Sequence, residues 1–536
     1  MSSFHRQSSY GECISLVQNE TVVDRDVLFC LTQRMEEESR QSSIYFLLLS
    51  AAIVFFMQPG FAMLSAGSVR LKNVHNTMMK HILDVCGAAL GFYSFGYAFA
   101  FGACSSNKTF LGYSNFFLNG VNDHANWLFQ FSFASASATI VAGAVAERCQ
   151  MAAYLCYSMA LTGFIYPVVA HAIWSEQGFL SAFADQPLWD VGMLDFAGSG
   201  VVHLTGGCIA LIATRILGPR QGRFHYGLGA PLESPSFKGH SIALQVLGTF
   251  LLWFGWYGFT IGPAINNFSG SLPGSVSALC AVNTTVSAAA AGVTAMFVNL
   301  YLVERKTGEA TFDLVYLTNG ILTGLVSITA GCAYIQPWAA VVTGIVGGLL
   351  YVVTSNFLVF FRIDDAVNAV PVHGVGGMWG LLSTGLLADR SLVETVFGGA
   401  KHVGWFYDMN DPTLLGLHCL GILFIVGWTF ATTCPFFLLL HYFGWLRADS
   451  LEELVGLDIS YHGLGLTKQV SEEVEKNDYC QYHEQKSAKS RKKNRNARQV
   501  TEGSFLSSGE GHQVPVASLR RDSASSINFH PAEERV

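Results

Sequence analysis

The chain has 536 residues, of which 51% are hydrophobic and 13% charged, with a mean hydropathy of +0.36 and a formal net charge of −7. A water-soluble chain of this length carries more charge, so the composition excludes an ordinary soluble enzyme or binding domain. The lipid bilayer is the expected surrounding, and no nucleic-acid partner is expected.

Residues 1–43 are polar and read as an extracellular N-terminal segment without a cleavable signal peptide. Apolar stretches of about 20 residues, enough for a helix to cross about 30 Å of hydrocarbon, then recur. They fall near 44–68, 82–103, 127–146, 152–174, 197–217, 241–262, 275–303, 312–331, 336–360, 369–388 and 416–445. Lipid-embedded backbone must satisfy its own hydrogen bonds, so Gly- and Ala-rich runs of this length mean a helical bundle and not a barrel. The expected fold is an all-α integral membrane domain over 44–446 with about eleven transmembrane helices.

Loops after the first, fifth, seventh and ninth runs carry Arg70, Lys72 and Lys80, then Arg215, Arg220, Arg223 and Lys238, then Arg305 and Lys306, then Arg362. The alternate loops hold mainly Lys108, Arg390 and Lys401. The positive-inside rule puts the first set in the cytosol, the N-terminus outside and the C-terminus inside. Glycosylation sequons at Asn19, Asn107 and Asn267 then face outward, whereas Asn283 falls within an apolar run and reads as a chance match. The cysteines lack metal-type spacing, and most read as small packing residues. Cys13 and Cys30 share the external segment, where a disulfide is possible.

The fifth and tenth runs share a pattern. Asp195 stands eight residues before His203 and Asp365 eight before His373, and Gly206–Gly207 and Gly376–Gly377 follow. The first copy enters the membrane from outside and the second from inside. That is a five-plus-five inverted repeat with one further helix, a plan whose working site lies near the midplane. Both histidines then face one cavity, and the glycines let their helices approach there. Ionisable groups in lipid tend to line pathways. Two histidines lack the remaining ligands of a zinc site, so no metal or cofactor is expected. Burial disfavours imidazolium, and the pair reads as neutral rings suited to a small hydrogen-bonding molecule and to proton relay. Phe129 and Phe133, Trp174, and Trp256 and Phe259 gather at the outer ends of their runs, where aromatic faces attract cations by roughly 0.5–2 kcal/mol each.

The stretches FQFSFASASATIVAGAVAER, DFAGSGVVHLTGG, LLWFGWYGFTIGP, VNTTVSAAAAG, FRIDDAVNAVPVHGVGGMWG and GLDISYHG occur in order between about residues 44 and 466. Together they resemble the ammonium transporters of the Amt/Mep/Rh superfamily, on the Amt side. The resemblance implies a plasma-membrane homotrimer with one narrow pore per subunit. It matches Trp174 and Phe133 to an external cation-recruitment site and Phe133 and Phe259 to a stacked gate. It matches His203 and His373 to twin pore histidines, Trp256 to a pore-lining tryptophan, and Asp195 to a backbone-holding aspartate beside the recruitment site. Pro263 departs from the family by replacing a serine whose hydroxyl bonds the recruited cation.

Residues 447–466 resemble the family's cytosolic regulatory segment, with Ser460 where relatives carry a phosphorylatable residue, so a kinase is a possible partner. Residues 467–536 are polar, read as a disordered cytosolic tail, and hold the basic run KSAKSRKKNRNAR, either a solvated tail or an attractor of anionic lipid. The expected function is electrogenic transport of NH₄⁺/NH₃ and not catalysis. The alternatives are an electroneutral NH₃/CO₂ channel and an ammonium sensor signalling through the tail.

Overall fold

The structure is a computed structural model. It describes residues 25–103, 108–226, 231–233, 237–266 and 273–462. The sequons at Asn19, Asn107 and Asn267, Cys13, the side chain of Cys30, and the basic tail run lie outside the described residues.

Among these residues nine helices are long and apolar enough to cross a membrane, the first within Leu31–Ser68 and the last at Thr413–Tyr442. The eighth apolar run is a shorter helix, Leu314–Ile328. The tenth is a π-helical turn, Val370–Val375, leading into Gly376–Leu387.

The elements that position the site are α1 (Arg25–Phe55), α2 (Met57–Ser68), α3 (Val74–Gly91), α4 (His124–Ala144), α5 (Met151–Ala160), α6 (Tyr166–Trp174), α7 (Thr205–Leu217), α8 (Ile242–Ile261), α9 (Pro273–Thr307), α10 (Leu314–Ile328), α11 (Pro337–Phe360), α12 (Gly376–Leu387) and α13 (Thr413–Tyr442). Two short helices follow, α14 (Ser450–Val455) and α15 (Leu457–His462). Polar caps set several of the starts: Asp123 accepts the N–H of Asn126 at 2.9 Å below α4, and Asp313 that of Val315 at 2.8 Å below α10. A two-stranded antiparallel ribbon, Phe224–Tyr226 with Pro231–Glu233, sits in the connection before α8.

Helix α1 begins at Arg25, well before the apolar run at 44, so part of the polar N-terminal segment is already helical. Lys80 belongs to α3 and not to a loop. It is 1% exposed, and its ammonium donates to the Cys149 carbonyl at 2.5 Å over the Tyr154 ring. Asn283 is buried in α9, and its amide donates to the carbonyls of Cys332 and Ile335 at 2.8 Å. A side chain spent in this way is not a glycan acceptor.

At the end of the bundle that carries Arg70 and Arg220, separate connections are tied by buried charge. Glu147 pairs with Arg70 at 2.6 Å and with Arg220. Arg220 also reaches Asp364 at 2.8 Å, and Arg223 reaches it at 3.3 Å. Arg148, fully buried, donates to the carbonyls of Gly218 and Asp364. Burial alone would raise both carboxyls, but Arg220 and Arg70 hold Glu147 down at about 2, and Arg220 and Arg148 hold Asp364 well below the usual carboxylate range. Helices α14 and α15 dock on this same end. Lys72 donates to the Leu454 carbonyl at 2.5 Å, and Arg447 pairs with Glu453 at 2.8 Å. The Asp458 carboxylate accepts the N–H groups of His75 and Asn76 at 3.0 and 2.7 Å, and so caps the first turn of α3.

A carboxylate with a depressed folded pKa contributes stability that is present above its unfolded value and lost as pH falls toward the folded one. For Glu147 that window runs from 4.5 down to about 2. The melting temperature of the purified protein is therefore insensitive to Glu147 near neutral pH and falls with Glu147 protonation below the window's upper edge. Glu147→Gln leaves Arg220 short of a partner, costs about 3–5 kcal/mol near neutral pH, and weakens that acid dependence. A melting curve with wild-type midpoint for Glu147→Gln contradicts the pairing.

Candidate functional site

Both histidine segments open in the same way. The Asp195 carboxylate accepts the backbone N–H groups of Gly198, Gly200 and Val201 at 3.1, 2.9 and 2.9 Å. Asp365 accepts those of Val367 and Val370 at 3.3 and 2.7 Å. Each aspartate thus holds the donors at the start of a π-helical stretch, Ser199–Leu204 and Val370–Val375, and each stretch contains its histidine. The wide turn is a feature the sequence pattern did not reveal. Such turns place side chains off the regular helical stripe and recur at functional sites.

The two segments cross backbone to backbone. A Cβ on Gly207 would collide with the backbone of Gly374, and one on Gly377 would meet the Leu204 nitrogen at 2.8 Å. The glycine expectation is corrected in one respect. Gly206 and Gly376 do not serve the crossing: Gly206 faces Ser137 and Ile140 of α4, and Gly376 faces Thr323 of α10. In each pair the residues point about 100° apart around the helix, so only one can face the partner.

At the crossing the Nδ1 atoms of His203 and His373 are 3.1 Å apart. A hydrogen bond at this length requires one Nδ1 to carry the proton and the other to accept it. His203 is fully buried, and its Nε2 has no hydrogen-bond partner among the described residues. One face of its ring lies near-parallel to Trp256, centroids 5.0 Å apart, and its ring is stacked with His373 at 5.2 Å. Trp256 is fixed by its indole N–H, which donates to Thr329 Oγ1 at 3.0 Å.

Aromatic rings continue from there. Phe259 lies 5.4 Å from His203, Phe133 stacks on Phe259 at 4.1 Å, and Trp174 meets Phe133 edge-on at 5.7 Å. The Trp174 indole N–H donates to the Asp195 carbonyl at 2.7 Å. Asp195 therefore anchors both the π-turn, through its side chain, and the outermost ring, through its backbone. Burial pushes its carboxyl up to about 6 against the pull of the Val201, Gly200 and Gly198 N–H groups.

The column of rings ends in a cavity of about 600 Å³ lined by Trp174, Phe133, Phe129, Gln130, Glu176 and Pro263, among others. Every pore and recruitment residue named from the sequence lies on this column or holds it. Ser460 lies elsewhere, on α15. Sequence reasoning missed Phe61, whose ring is 6.3 Å from His373, and Thr329, which fixes Trp256. Both sit in apolar runs with nothing to distinguish them. Among the described residues no group of three or more His, Cys, Asp and Glu side chains is assembled to hold a metal.

Fold and site together define a multi-pass helical membrane protein with a histidine pair buried at a helix crossing. A family model described as Ammonium Transporter Family matches residues 45–466. The chain is 40% identical over 440 residues to "Ammonium transporter 1 member 3" of Solanum lycopersicum, covering 78% of this chain and 91% of that protein. It is 38% identical over 419 residues to "Ammonium transporter 3" of Dictyostelium discoideum, covering 77% and 91%. Among solved structures, "Sensor Amt Protein" superposes with a TM-score of 0.69 at 30% identity, covering 80% of this chain and all of that one. Mep2 of Candida albicans gives 0.66 at 29%, covering 79% and 90%. The chain belongs to the ammonium transporter family, and its curated relatives are Amt-type transporters.

The crossing tolerates no side chain at Gly207. Gly207→Val forces the two backbones apart and breaks the ring-to-ring hydrogen bond. Overpacking of this kind costs typically 1–3 kcal/mol. The expected outcome is a lowered melting temperature together with loss of ammonium uptake, while Gly206→Ala, at 3.0 Å from the Ser137 carbonyl, is milder. Equal effects of the two changes would contradict the assigned facing.

Proposed function

We propose that this family member is an electrogenic ammonium transporter of the plasma membrane. The reading places the arginine-rich end in the cytosol, the N-terminus outside, eleven spans in a five-plus-five inverted repeat plus α13, and three copies in a trimer. NH₄⁺ is recruited in the cavity beside Trp174 and Phe133, and it loses its proton near the stacked Phe133–Phe259 gate. NH₃ passes along Trp256, His203 and His373, and the proton crosses separately. Asp195 positions the path and does not touch substrate.

The observation that carries this reading is the continuous column from the 600 Å³ cavity to the His203–His373 pair. Aromatic faces favour a cation in the cavity. The stacked phenylalanine rings, 4.1 Å apart, carry no polar atom of their own to replace its hydration. The histidines offer one small molecule both a donor and an acceptor. Pro263 lines the cavity without a hydroxyl or an N–H, so acceptance of the cation's hydrogens falls to other groups there.

Expression of the full chain in cells lacking ammonium uptake, with current recorded under ammonium, tests the reading. Current together with uptake is expected. Uptake without current favours an NH₃ channel, and neither, with tail-dependent signalling, favours a sensor. His203→Ala and His373→Ala are each expected to reach the membrane and lose discrimination of ammonium over potassium. Wild-type rate and selectivity in either variant would overturn the shared path.

The tail gives a regulatory element. Ser460 is exposed on α15, and its hydroxyl donates to the Gly456 carbonyl at 3.0 Å. A phosphate there adds about −1.5 to −2 charges, close in sequence to Asp458, which caps α3. Repulsion between the phosphate and Asp458 would destabilise α15, withdraw the Asp458 cap and leave the first-turn N–H groups of α3 bare. A kinase acting at Ser460, and anionic lipid meeting the more distal basic run, are the partners this proposes. With Ser460→Asp subunits mixed with wild type in varied ratio, activity is expected to fall faster than the mutant fraction. A linear decline would sink coupling between subunits.

A further inference from the structure

A second set of ionisable side chains lies inside the bundle, off the column of rings. On α3, His81 is 4% exposed and Asp84 is fully buried. Thr139 of α4 and Tyr157 and Ser158 of α5 surround the Asp84 carboxyl. Yet both carboxyl oxygens, both His81 ring nitrogens and the Tyr157 hydroxyl are buried without a hydrogen-bond partner among the described residues. The Ser158 hydroxyl is spent on the Asp84 backbone carbonyl at 2.6 Å. Lys80 is engaged by the Cys149 carbonyl at 2.5 Å. The titratable groups that face Asp84 from α5 are Tyr154 and Tyr157, and on α3 itself His81 stands three residues before it, one helical turn away on the same face. Helix α4 presents only the Thr139 hydroxyl.

A purely structural polar cluster satisfies its own members at ordinary hydrogen-bond length; here the Ser158, Tyr157 and Thr139 side chains approach the Asp84 carboxyl but none lies within 3.5 Å with hydrogen-bond geometry. Ionisable groups at membrane depth are expensive and mark ion paths and proton relays. The polar groups also continue beyond Asp84. Thr139 Oγ1 donates to Gln58 Oε1 at 2.9 Å, and Gln58 Nε2 donates to Ser135 Oγ at 3.0 Å. Ser135 stands two residues from Phe133 on α4. In the other direction α3 starts at the arginine-rich end, and Asp84 lies ten residues in from Val74, roughly 15 Å at 1.5 Å per residue. A line of hydroxyl, amide and ionisable groups thus runs from the level of the aromatic stack toward that end, through the first half of the bundle alone.

We propose that Asp84, with His81 and Tyr157, is a proton-carrying station on a route beside the histidine path. This rests on the reading that the proton crosses separately from NH₃. A proton carried as hydronium along the polar line binds a carboxylate oxygen of Asp84 and leaves water behind. The new O–H bond then breaks as the proton passes to a His81 ring nitrogen and on to water at the arginine-rich end, restoring the carboxylate and neutral ring. No electrons move.

The test uses the full chain in liposomes, with ammonium uptake and ammonium-evoked charge measured on the same preparation. Asp84→Asn is expected to keep most of the uptake while losing most of the charge moved per ammonium, and Asp84→Glu to restore the ratio. A wild-type ratio in Asp84→Asn overturns the station, and so does an equal loss of uptake and charge, which assigns Asp84 to packing. If Asp84→Asn does not assemble, Tyr157→Phe and His81→Gln carry the test: a lowered ratio supports the station, and an unchanged ratio in both overturns it. A wild-type protein with uptake but no current overturns the electrogenic reading and the station together. Wild-type current with unaltered variant ratios overturns the station alone.

Discussion

Two imidazole rings held 3.1 Å apart in the buried interior of the helical bundle impose the main constraint on this molecule. Each ring comes from a wide turn and not from a regular helical stripe, so the backbones touch while the side chains still meet between them. The structure meets this with a π-turn at each histidine, a glycine from each helix at the crossing, and an aspartate collecting the N–H groups that the wide turn releases. Orphaned backbone donors at this depth would each cost several kcal/mol. The aspartates are thus as necessary to the site as the histidines they precede.

From the crossing outward each contact fixes the next. Thr329 holds Trp256, Trp256 covers one face of His203, and the Asp195 carbonyl holds Trp174 against Phe133. Far from the rings, the arginine cluster around Glu147 and Asp364 ties connections distant in sequence, and the C-terminal helices close over the same end. Pairing of this kind is justified less by net stability than by register, because a buried charge left alone is so costly.

Much of this was legible in the chain. The apolar runs gave the helices because lipid leaves few alternatives. The repeated acid, histidine and glycines pointed to one shared site because the same residues recur at the same offsets. What stayed hidden has physical causes. The π-turns at residues 199–204 and 370–375 change the register that a regular period assumes, which is why Gly206 and Gly376 were assigned to a crossing they do not serve. Lys80 reads as a loop cation because its burial depends on a carbonyl supplied by Cys149, 69 residues away. Asp84 and His81 gave no pattern, since their surroundings come from three different helices.

The Phe133–Phe259 stack has an electrical meaning as well. Two fully buried hydrocarbon rings in face contact form a thin insulating layer between the 600 Å³ cavity and the histidines. A membrane potential falls most steeply where matter polarises least. The full drop is worth about 2.3 kcal/mol per elementary charge per 100 mV. A particle that crosses this layer uncharged feels none of that field, whereas one that keeps its charge feels a large share of it. Voltage, and not size alone, would then sort what gets through.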